Sequence, residues 1–388
     1  MKNIIYLVSF LLLLSCNTKM PKTSTSAQSL RFASYNVSLF RSEQGGLAID
    51  LNSGRDTQIQ NVAAVIQHVN PDVIALMEFD YDPSGALLEA FQKNYLGIGQ
   101  QGEQAISFSY KLSISSNTGV LSGFDYNNDG KIALPEDGFG FGRYEGQYAF
   151  AILSKYPIDK KNIRSFQKMI WSAMPGAKRP MNEDGTSYYD DDEWAAFRVS
   201  SKNHIDIPII TSGDKTVHVI LAHPTPPVFD GPEDRNGLRN YDEIRLLKDY
   251  ISNATYLVDD KGRKGGLAAG ESFVIMGDLN ADPIDGDSYP GAINQLLEYP
   301  GINTEVTTGS HIPQSNGGKL YNRSKGDKGD PAFDSAFFGK RIDYVLPSND
   351  FRVSKSGVFW PAEGEVLYEQ VKNKGASDHL MVWVELVF

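Results

Sequence analysis

Short apolar runs that stop abruptly at a polar residue recur through this chain, and they constrain its fold more than any other feature. Val73-Ile74-Ala75-Leu76-Met77 runs into Glu78, the run ending at Ala222 into His223, and the run ending at Met276 into Gly277-Asp278-Leu279-Asn280. Such runs are short for helices; apolar at nearly every position, they read as strands covered on both faces. Similar runs lie at 149–153, 342–346 and 380–387, and residues 30–37 alternate as a strand does. Residues 57–69 carry Ile59, Val62, Val65, Ile66 and Val69 on one helical stripe, closed by the breaker Asn70-Pro71-Asp72. Helical spacing returns at 241–253 and 291–298. Strands and helices thus mix along all of residues 31–388, with no Pro/Gly/Ser-rich linker and no internal repeat. Apolar residues make up 41% of the 388, enough for a substantial core.

The first residues read differently. Lys2 precedes a mostly apolar segment, Ile4 to Leu14, which is short for a bilayer span and fits the core of a signal peptide. It ends in Leu13-Leu14-Ser15-Cys16, which resembles a bacterial lipobox, the motif whose cysteine is acylated and becomes the new N-terminus. Cys16 is the only cysteine, so no intrachain disulfide can form. Residues 1–15 are therefore expected to be a lipoprotein signal peptide. Residues 16–30, rich in Ser, Thr, Lys and Gln, are expected to be a flexible tether. The expected location is the bacterial cell envelope, lipid-anchored and facing the periplasm or the cell surface.

The polar ends of the apolar runs form an ordered set. A polar residue after a strand is ordinary, but catalytic groups are often carried just past strand ends, where a rigid sheet holds them. Ser34-Tyr35-Asn36-Val37, Leu76-Met77-Glu78, Leu221-Ala222-His223-Pro224, Gly277-Asp278-Leu279-Asn280, Arg341-Ile342-Asp343-Tyr344-Val345 and Ser377-Asp378-His379 follow one another along the chain. In this order they resemble the endonuclease/exonuclease/phosphatase superfamily, which includes pancreatic deoxyribonuclease, abasic-site endonucleases, inositol polyphosphate phosphatases and bacterial sphingomyelinases. The resemblance covers essentially all of residues 31–388. It implies a four-layer α/β sandwich of two packed mixed β-sheets flanked by helices, and a metal-dependent hydrolase of phosphate esters.

The residue types suit that chemistry. Phosphate ester hydrolysis needs a cation for the developing charge, a base for water, help for the leaving oxygen and donors for the phosphoryl oxygens. By the resemblance, Asn36, Glu78 and Asp378 serve a catalytic Mg²⁺ or Mn²⁺, for which hard oxygen ligands are apt. Asp278 is the base, Asn280 orients the phosphate, His379 addresses a phosphoryl oxygen with Asp343 on its other ring nitrogen, and His223 faces it from the opposite side. A narrower pattern, His223-Pro224-Thr225-Pro226-Pro227 leading into residues 229–237, resembles exported bacterial members. Its Arg235 and Asn236, with Arg239 beyond, are candidate substrate-binding residues, although pairing of Arg235 with Glu233 or Asp234 is an equal alternative. The same ambiguity attaches to Arg143, Lys178 and Arg179.

One further motif stands apart. Residues 125–136 fit D-x-[DN]-x-[DN]-G-x5-E in full. Asp125, Asn127, Asp129, the Lys131 carbonyl and a bidentate Glu136 would bind Ca²⁺, Gly130 would make the turn, and Ile132 would anchor the loop. Weak helical signals on both sides, with Pro135 and Gly138 in the exit, predict an EF-hand-like insertion rather than an EF-hand pair.

The reading is an exported phosphomonoesterase or phosphodiesterase, expected to act as a monomer on small or lipid-derived phosphoesters. Its alternatives are a secreted nuclease sharing the same centre and a calcium-dependent surface binding module without catalysis. A net charge of -11 leans against a tight grip on nucleic acid, whose affinity comes from Lys and Arg. A bound metal keeps nucleic acid open as a substrate. The anchor gives a direct test: Cys16→Ala should move the protein from the detergent phase to the aqueous phase in phase partitioning. Unchanged partitioning would remove the lipid anchor from this account.

Overall fold

A computed structural model describes Met1 and residues 29–388. Cys16, the signal segment and nearly all of the tether lie outside the described residues. Among the described residues, eleven strands form two mixed sheets. The first sheet contains β1 (Ser29–Asn36), β2 (Val73–Met77), β3 (Tyr110–Ile114), β4 (Phe150–Ser154), β10 (Arg352–Val358) and β11 (Val382–Val387), in the order β10-β11-β1-β2-β4-β3. The second contains β5 (Arg164–Ser165), β6 (His204–Ile210), β7 (Thr216–Ala222), β8 (Phe273–Asp278) and β9 (Asp343–Pro347), paired in sequence order. β1 and β2 pack over β8 and β9, and helices cover the outer faces, the four-layer sandwich that the motifs implied.

Local chemistry explains the frame. The helix Thr57–Val69 starts where the Asp56 side chain accepts from the Ile59 N–H at 2.9 Å, and it stops where Asn70 turns left-handed at φ 51°. That helix is the crossover that lets β1 and β2 run parallel. The helix Arg235–Ile251 does the same for the parallel pair β7 and β8. One interior strand of each sheet is buried on both faces: every residue of β2 and of β8 is buried. This is why their sequences are continuous apolar runs rather than alternating ones.

Strands β3, β5, β6 and β10 were not marked by apolar runs. β6 reads His204-Ile205-Asp206-Ile207-Pro208-Ile209-Ile210, and its Asp206 and Pro208 disguise it. Asp206 is accommodated because it accepts from the Tyr250 hydroxyl and bonds the His218 ring at 2.8 Å. The helix expected over 241–253 begins earlier, at Arg235, and that expected over 291–298 shrinks to Asn294–Leu297.

Phe32 is fully buried in β1, between β11 and β2. Phe32→Ala should lower unfolding stability by about 3–5 kcal/mol, the range for emptying a large aromatic from a packed core. Denaturant titration followed by fluorescence measures it; a loss under 1 kcal/mol, roughly the cost of an exposed change, would contradict this packing.

Candidate functional site

Strand direction gathers the candidate residues. β1 and β2 run parallel and end together at Asn36 and Met77, so Asn36 and Glu78 leave the first sheet side by side. β7 and β8 end together at Ala222 and Asp278, which brings His223 to the same edge of the second sheet. β9 runs antiparallel to β8, so its first residue, Asp343, pairs with the last residue of β8, Asp278. Ser377-Asp378-His379 precede β11 and return to this end. Gly277 makes the approach of β7 and β8 feasible, since a Cβ there would stand 2.0 Å from the Ala222 carbonyl oxygen.

The side chains then form one network. Asn36 Nδ2 donates to Asp278 Oδ2 at 3.1 Å, and its carbonyl accepts from the Ser38 N–H at 3.1 Å. Asn36 thus presents its amide NH₂, not its carbonyl, to the carboxylates. His379 Nδ1 lies 2.9 Å from Asp343 Oδ2, and His379 Nε2 lies 3.7 Å from Asp278 Oδ2. His223 Nε2 approaches the same Asp278 oxygen at 3.5 Å. Asp278 Oδ1 accepts from the Asn280 N–H at 3.0 Å, while Asn280 Nδ2 donates to the Pro224 carbonyl at 3.1 Å. Asp278, Asp343 and His379 place ligand-type atoms within 4.8 Å of one another, the one such group of three among the described residues.

Burial and charge set the protonation states. For His379, burial disfavours the charged ring, but the Asp343 and Asp278 carboxylates win and hold its pKa up at about 10. Burial pushes Asp278 up to about 6 against the pull of His379. Burial also raises Glu78, opposed by His379 and by a hydrogen bond from Asn36, with Asp278 and Asp378 adding to the rise. His223 falls well below the usual imidazole range because it is buried and faces two cations, Lys202 and His379. The two histidines therefore divide: His379 is an imidazolium and His223 a neutral ring near neutral pH.

Support residues hold this arrangement, and the sequence reading missed them. The Ser335 hydroxyl donates to Asp343 Oδ2 at 2.7 Å and accepts from the Asp343 and Ile342 N–H groups. The Ser377 hydroxyl donates to the Asn36 main-chain carbonyl at 2.7 Å and accepts from the His379 N–H. Lys202 is 7% exposed and lines the site; it donates to the Pro224 carbonyl at 3.4 Å and has no carboxylate in ion-pair contact among the described residues, and burial lowers its pKa against the pull of the Glu243 charge. A polar Ser-Lys-Asn stretch before an unrecognised strand gave no signal. Asp378 is half-buried, and its carboxylate acts on Glu78 and His379 through space.

The network forms the floor of a cleft of about 890 Å³. Arg235 lines the cleft but pairs with Glu233 and lies 5.2 Å over the Tyr188 ring. Arg239 is buried and donates to the carbonyls of Val199, Arg198 and Phe139, so it ties segments together rather than reaching for a substrate. Asn236 lines the cleft while its amide donates to the Val228 carbonyl at 2.7 Å.

The 125–136 loop has no flanking helix, as expected, and Gly130 takes the left-handed φ of 84°. Its oxygens turn toward its own backbone: Asp125 accepts from Asp129 and Gly130, Asn127 from Asp129, and Asp129 from Lys131. Two expectations fail. Ile132 is 52% exposed and anchors nothing; Tyr126 is the buried residue, 4.4 Å from the Phe197 ring. Glu136 is not gathered with Asp125 and Asp129 but lines the cleft. The neighbouring Asp137 closes the loop instead, accepting from the Tyr126 and Ala133 N–H groups at 2.8 Å each.

The sequence profile described as the Endonuclease/Exonuclease/phosphatase family matches residues 33–379. No curated protein matches the sequence. Among solved structures, an endonuclease/exonuclease/phosphatase from Beutenbergia cavernae DSM 12333 is similar at TM-score 0.51 and 15% identity, over 93% of this chain and 72% of that one. A family protein from Leptotrichia buccalis C-1013-b is similar at TM-score 0.48 and 16% identity, over 92% and 100% of the two chains. Another, from Bacteroides thetaiotaomicron, is similar at 0.49 and 15%, over 94% and 97%. The profile spans all six motifs, and the chain therefore belongs to the endonuclease/exonuclease/phosphatase family and is a metal-dependent hydrolase of phosphoric esters.

Proposed function

We propose that this chain is an exported, lipid-anchored hydrolase of small phosphate mono- or diesters, working through Asp278 as base and His379 as phosphoryl partner. The charge balance at the cleft floor carries the reading. Glu78, Asp278, Asp343 and Asp378 gather around the His379 ring, while Lys202 has the buried Glu243 as its foremost counter-charge. Carboxylates thus outnumber cations at the floor, and the excess negative charge suits a divalent cation. The donor set is hard oxygen, and the buried Asp343 Oδ1 has no partner, so these residues fit Mg²⁺ or Mn²⁺. Glu78 and Asp378 would hold it, with Asn36 adding its side-chain oxygen once the amide turns from Ser38, and when bound it supplies a Lewis acid for a phosphoryl oxygen.

The chain's own groups do the rest. Asp278 is fixed by Asn36 and the Asn280 N–H and takes the proton of attacking water. His379 keeps its Nε2 proton because Asp343 holds Nδ1, and it donates toward a phosphoryl oxygen. His223, neutral, adds a second donor on the other side of Asp278. Lys202 offers the cleft a cation that makes no ion-pair contact among the described residues, with the Glu243 charge nearby. A nuclease shares this floor, but Asp282 and Asp287 on the cleft lining oppose a polyanion.

Chelation should abolish turnover of phenyl phosphate or of bis(nitrophenyl) phosphate, and Mg²⁺ or Mn²⁺ should restore it. Asp278→Asn should cut kcat by at least ~10²-fold with the melting curve kept, and Glu78→Ala should abolish metal-dependent turnover. Near-normal kcat in Asp278→Asn would dismiss the assigned base.

Calcium at Asp125, Asn127, Asp129, Lys131 and Glu136 rests on oxygen spacing in the sequence, and Glu136 would have to swing in from the cleft wall. If it binds, Ca²⁺ raises the melting temperature over that in chelator by mass action on the folded state, and Glu136→Ala removes the rise. Equal melting temperatures in Ca²⁺ and in chelator would reduce the loop to a turn.

A further inference from the structure

We propose that Glu243, on the buried side of the helix Arg235–Ile251, is a positioning residue that sets Lys202 against the phosphoryl group. The inference rests on the phosphoesterase reading above and deepens it. Glu243 is fully buried, yet its carboxylate makes no ion-pair contact among the described residues. It is filled instead by donors from two segments that reach the cleft. Oε1 accepts from the Ser201 N–H at 2.7 Å and from the Ser201 hydroxyl at 2.9 Å, and Oε2 accepts from the Thr225 N–H at 2.6 Å. Ser201 stands immediately before Lys202, and Thr225 lies just past His223-Pro224.

The bond to Thr225 reaches Lys202 through the backbone. The Thr225 N–H and the Pro224 carbonyl belong to one rigid peptide plane, so holding the first aims the second. That carbonyl accepts from Lys202 Nζ at 3.4 Å and from Asn280 Nδ2 at 3.1 Å. One carboxylate thus fixes the residue before Lys202 and also the acceptor of its ammonium. Sheet pairing cannot do this: the β6–β7 ladder ends at His204 and Ala222, and both Lys202 and Pro224 lie beyond it. Asn240, on the same helix, braces the same turn by donating to the Thr225 carbonyl at 2.9 Å and the Leu279 carbonyl at 3.0 Å.

Charge acts in the same direction as geometry. Burial pulls Lys202 toward the neutral amine, and Glu243 is the foremost charge that opposes it; Glu78 and Asp278 help, and Arg239 works against them. Glu78 and Asp278 are assigned to the metal and to water, so Glu243 is the carboxylate left to balance Lys202. An amide could not take its place. Its one oxygen would serve Ser201, and its NH₂ would meet the Thr225 N–H, donor against donor. A lysine ammonium is a point charge on a flexible stem, so its place in a site must be set by its surroundings.

The test is a double-mutant cycle on full-length, Mg²⁺-loaded protein, assayed on phenyl phosphate and bis(nitrophenyl) phosphate. Lys202→Met and Glu243→Gln should each lower kcat/KM by about tenfold or more. The double variant should lie within about twofold of Lys202→Met, because residues that act through one another are not additive. Losses that multiply, or no loss in either single variant, overturn the proposal. The pH profile separates charge from mere structure. Glu243→Gln should move the alkaline limb of kcat/KM about one unit lower, since Lys202, facing Glu78, Asp278, Arg239 and His223, then gives up its proton sooner. Glu243→Asp keeps the charge and should leave the limb in place. An unmoved limb in Glu243→Gln overturns the proposal. Should Glu243→Gln not fold, Glu243→Asp decides: its loss in kcat/KM should shrink to about twofold or less in the Lys202→Met background, and an equal loss in both backgrounds overturns the proposal. If the unmutated protein hydrolyses neither ester, the phosphoesterase reading fails. The positioning is then judged by calorimetric titration with inorganic phosphate: binding weakened by Glu243→Gln only while Lys202 is present upholds it, and no binding, or equal weakening in both backgrounds, overturns it.

Discussion

Two hydrogen bonds cross from one sheet to the other at the same end of the sandwich, and the site depends on both. Asn36, at the end of β1, donates to Asp278, at the end of β8; His379, just before β11, bonds Asp343, at the start of β9. Each bond joins a residue of the first sheet to a residue of the second. They are buried and charge-assisted, so they are stronger than ordinary surface contacts, and losing one partner would strand a charge in the interior. The apolar packing of β1 and β2 on β8 and β9 brings these groups near one another; the two bonds fix their distances.

Backbone conformation shows where the fold yields to the site. Ser38, Glu78 and Asn280 all take positive φ, at 48°, 56° and 51°, each one or two residues past the end of β1, β2 or β8. None is glycine, and residues with side chains pay a conformational cost in the left-handed region. The recurrence at three strand ends has a common geometry. A strand that simply continued would carry its next side chains alternately to either face, whereas a left-handed step turns the chain off the sheet and presents the side chain at its edge. Glu78 and Asn280 are thereby set at the cleft, where both line its wall.

The sequence made the frame legible where local signals and burial agree. Residues 57–69 and 73–77 were bounded as observed, because an Asp56 cap, an apolar stripe and a fully buried strand leave little choice. All of His223, Asp278, Asn280, Asp343 and His379 meet at one place, since each follows or begins a strand whose direction the parallel crossovers determine. The support residues were not legible. Ser335 acts through contacts with Asp343 eight residues later, and Lys202 precedes a strand hidden by Asp206 and Pro208. The 125–136 motif matched a pattern of oxygens but not their directions. Asp137, one position past the motif, took the closing role because its carboxylate reaches two backbone N–H groups, and Glu136 was left to face the cleft. Spacing along a loop specifies which ligands are available; the route of the chain through Tyr126 and its aromatic neighbours decides where they point.

The division of labour between the sheets has a consequence for how the centre is assembled. Asn36, Glu78, Asp378 and His379 come from the first sheet, and His223, Asp278, Asn280 and Asp343 from the second. Neither sheet holds a base, a charged imidazole and the surplus carboxylates by itself. His379 without Asp343 would lose the carboxylate that does most to keep it charged in a buried position, and Asp278 without His379 would lose the cation that restrains its rise. The protonation pattern that hydrolysis needs is thus a property of the closed sandwich, not of any strand. Small changes in sheet packing act directly on chemistry here, because an imidazole and a carboxylate separated by 3.7 Å across the sheet boundary sense each other more steeply with distance in a buried, weakly screened setting than they would at the surface.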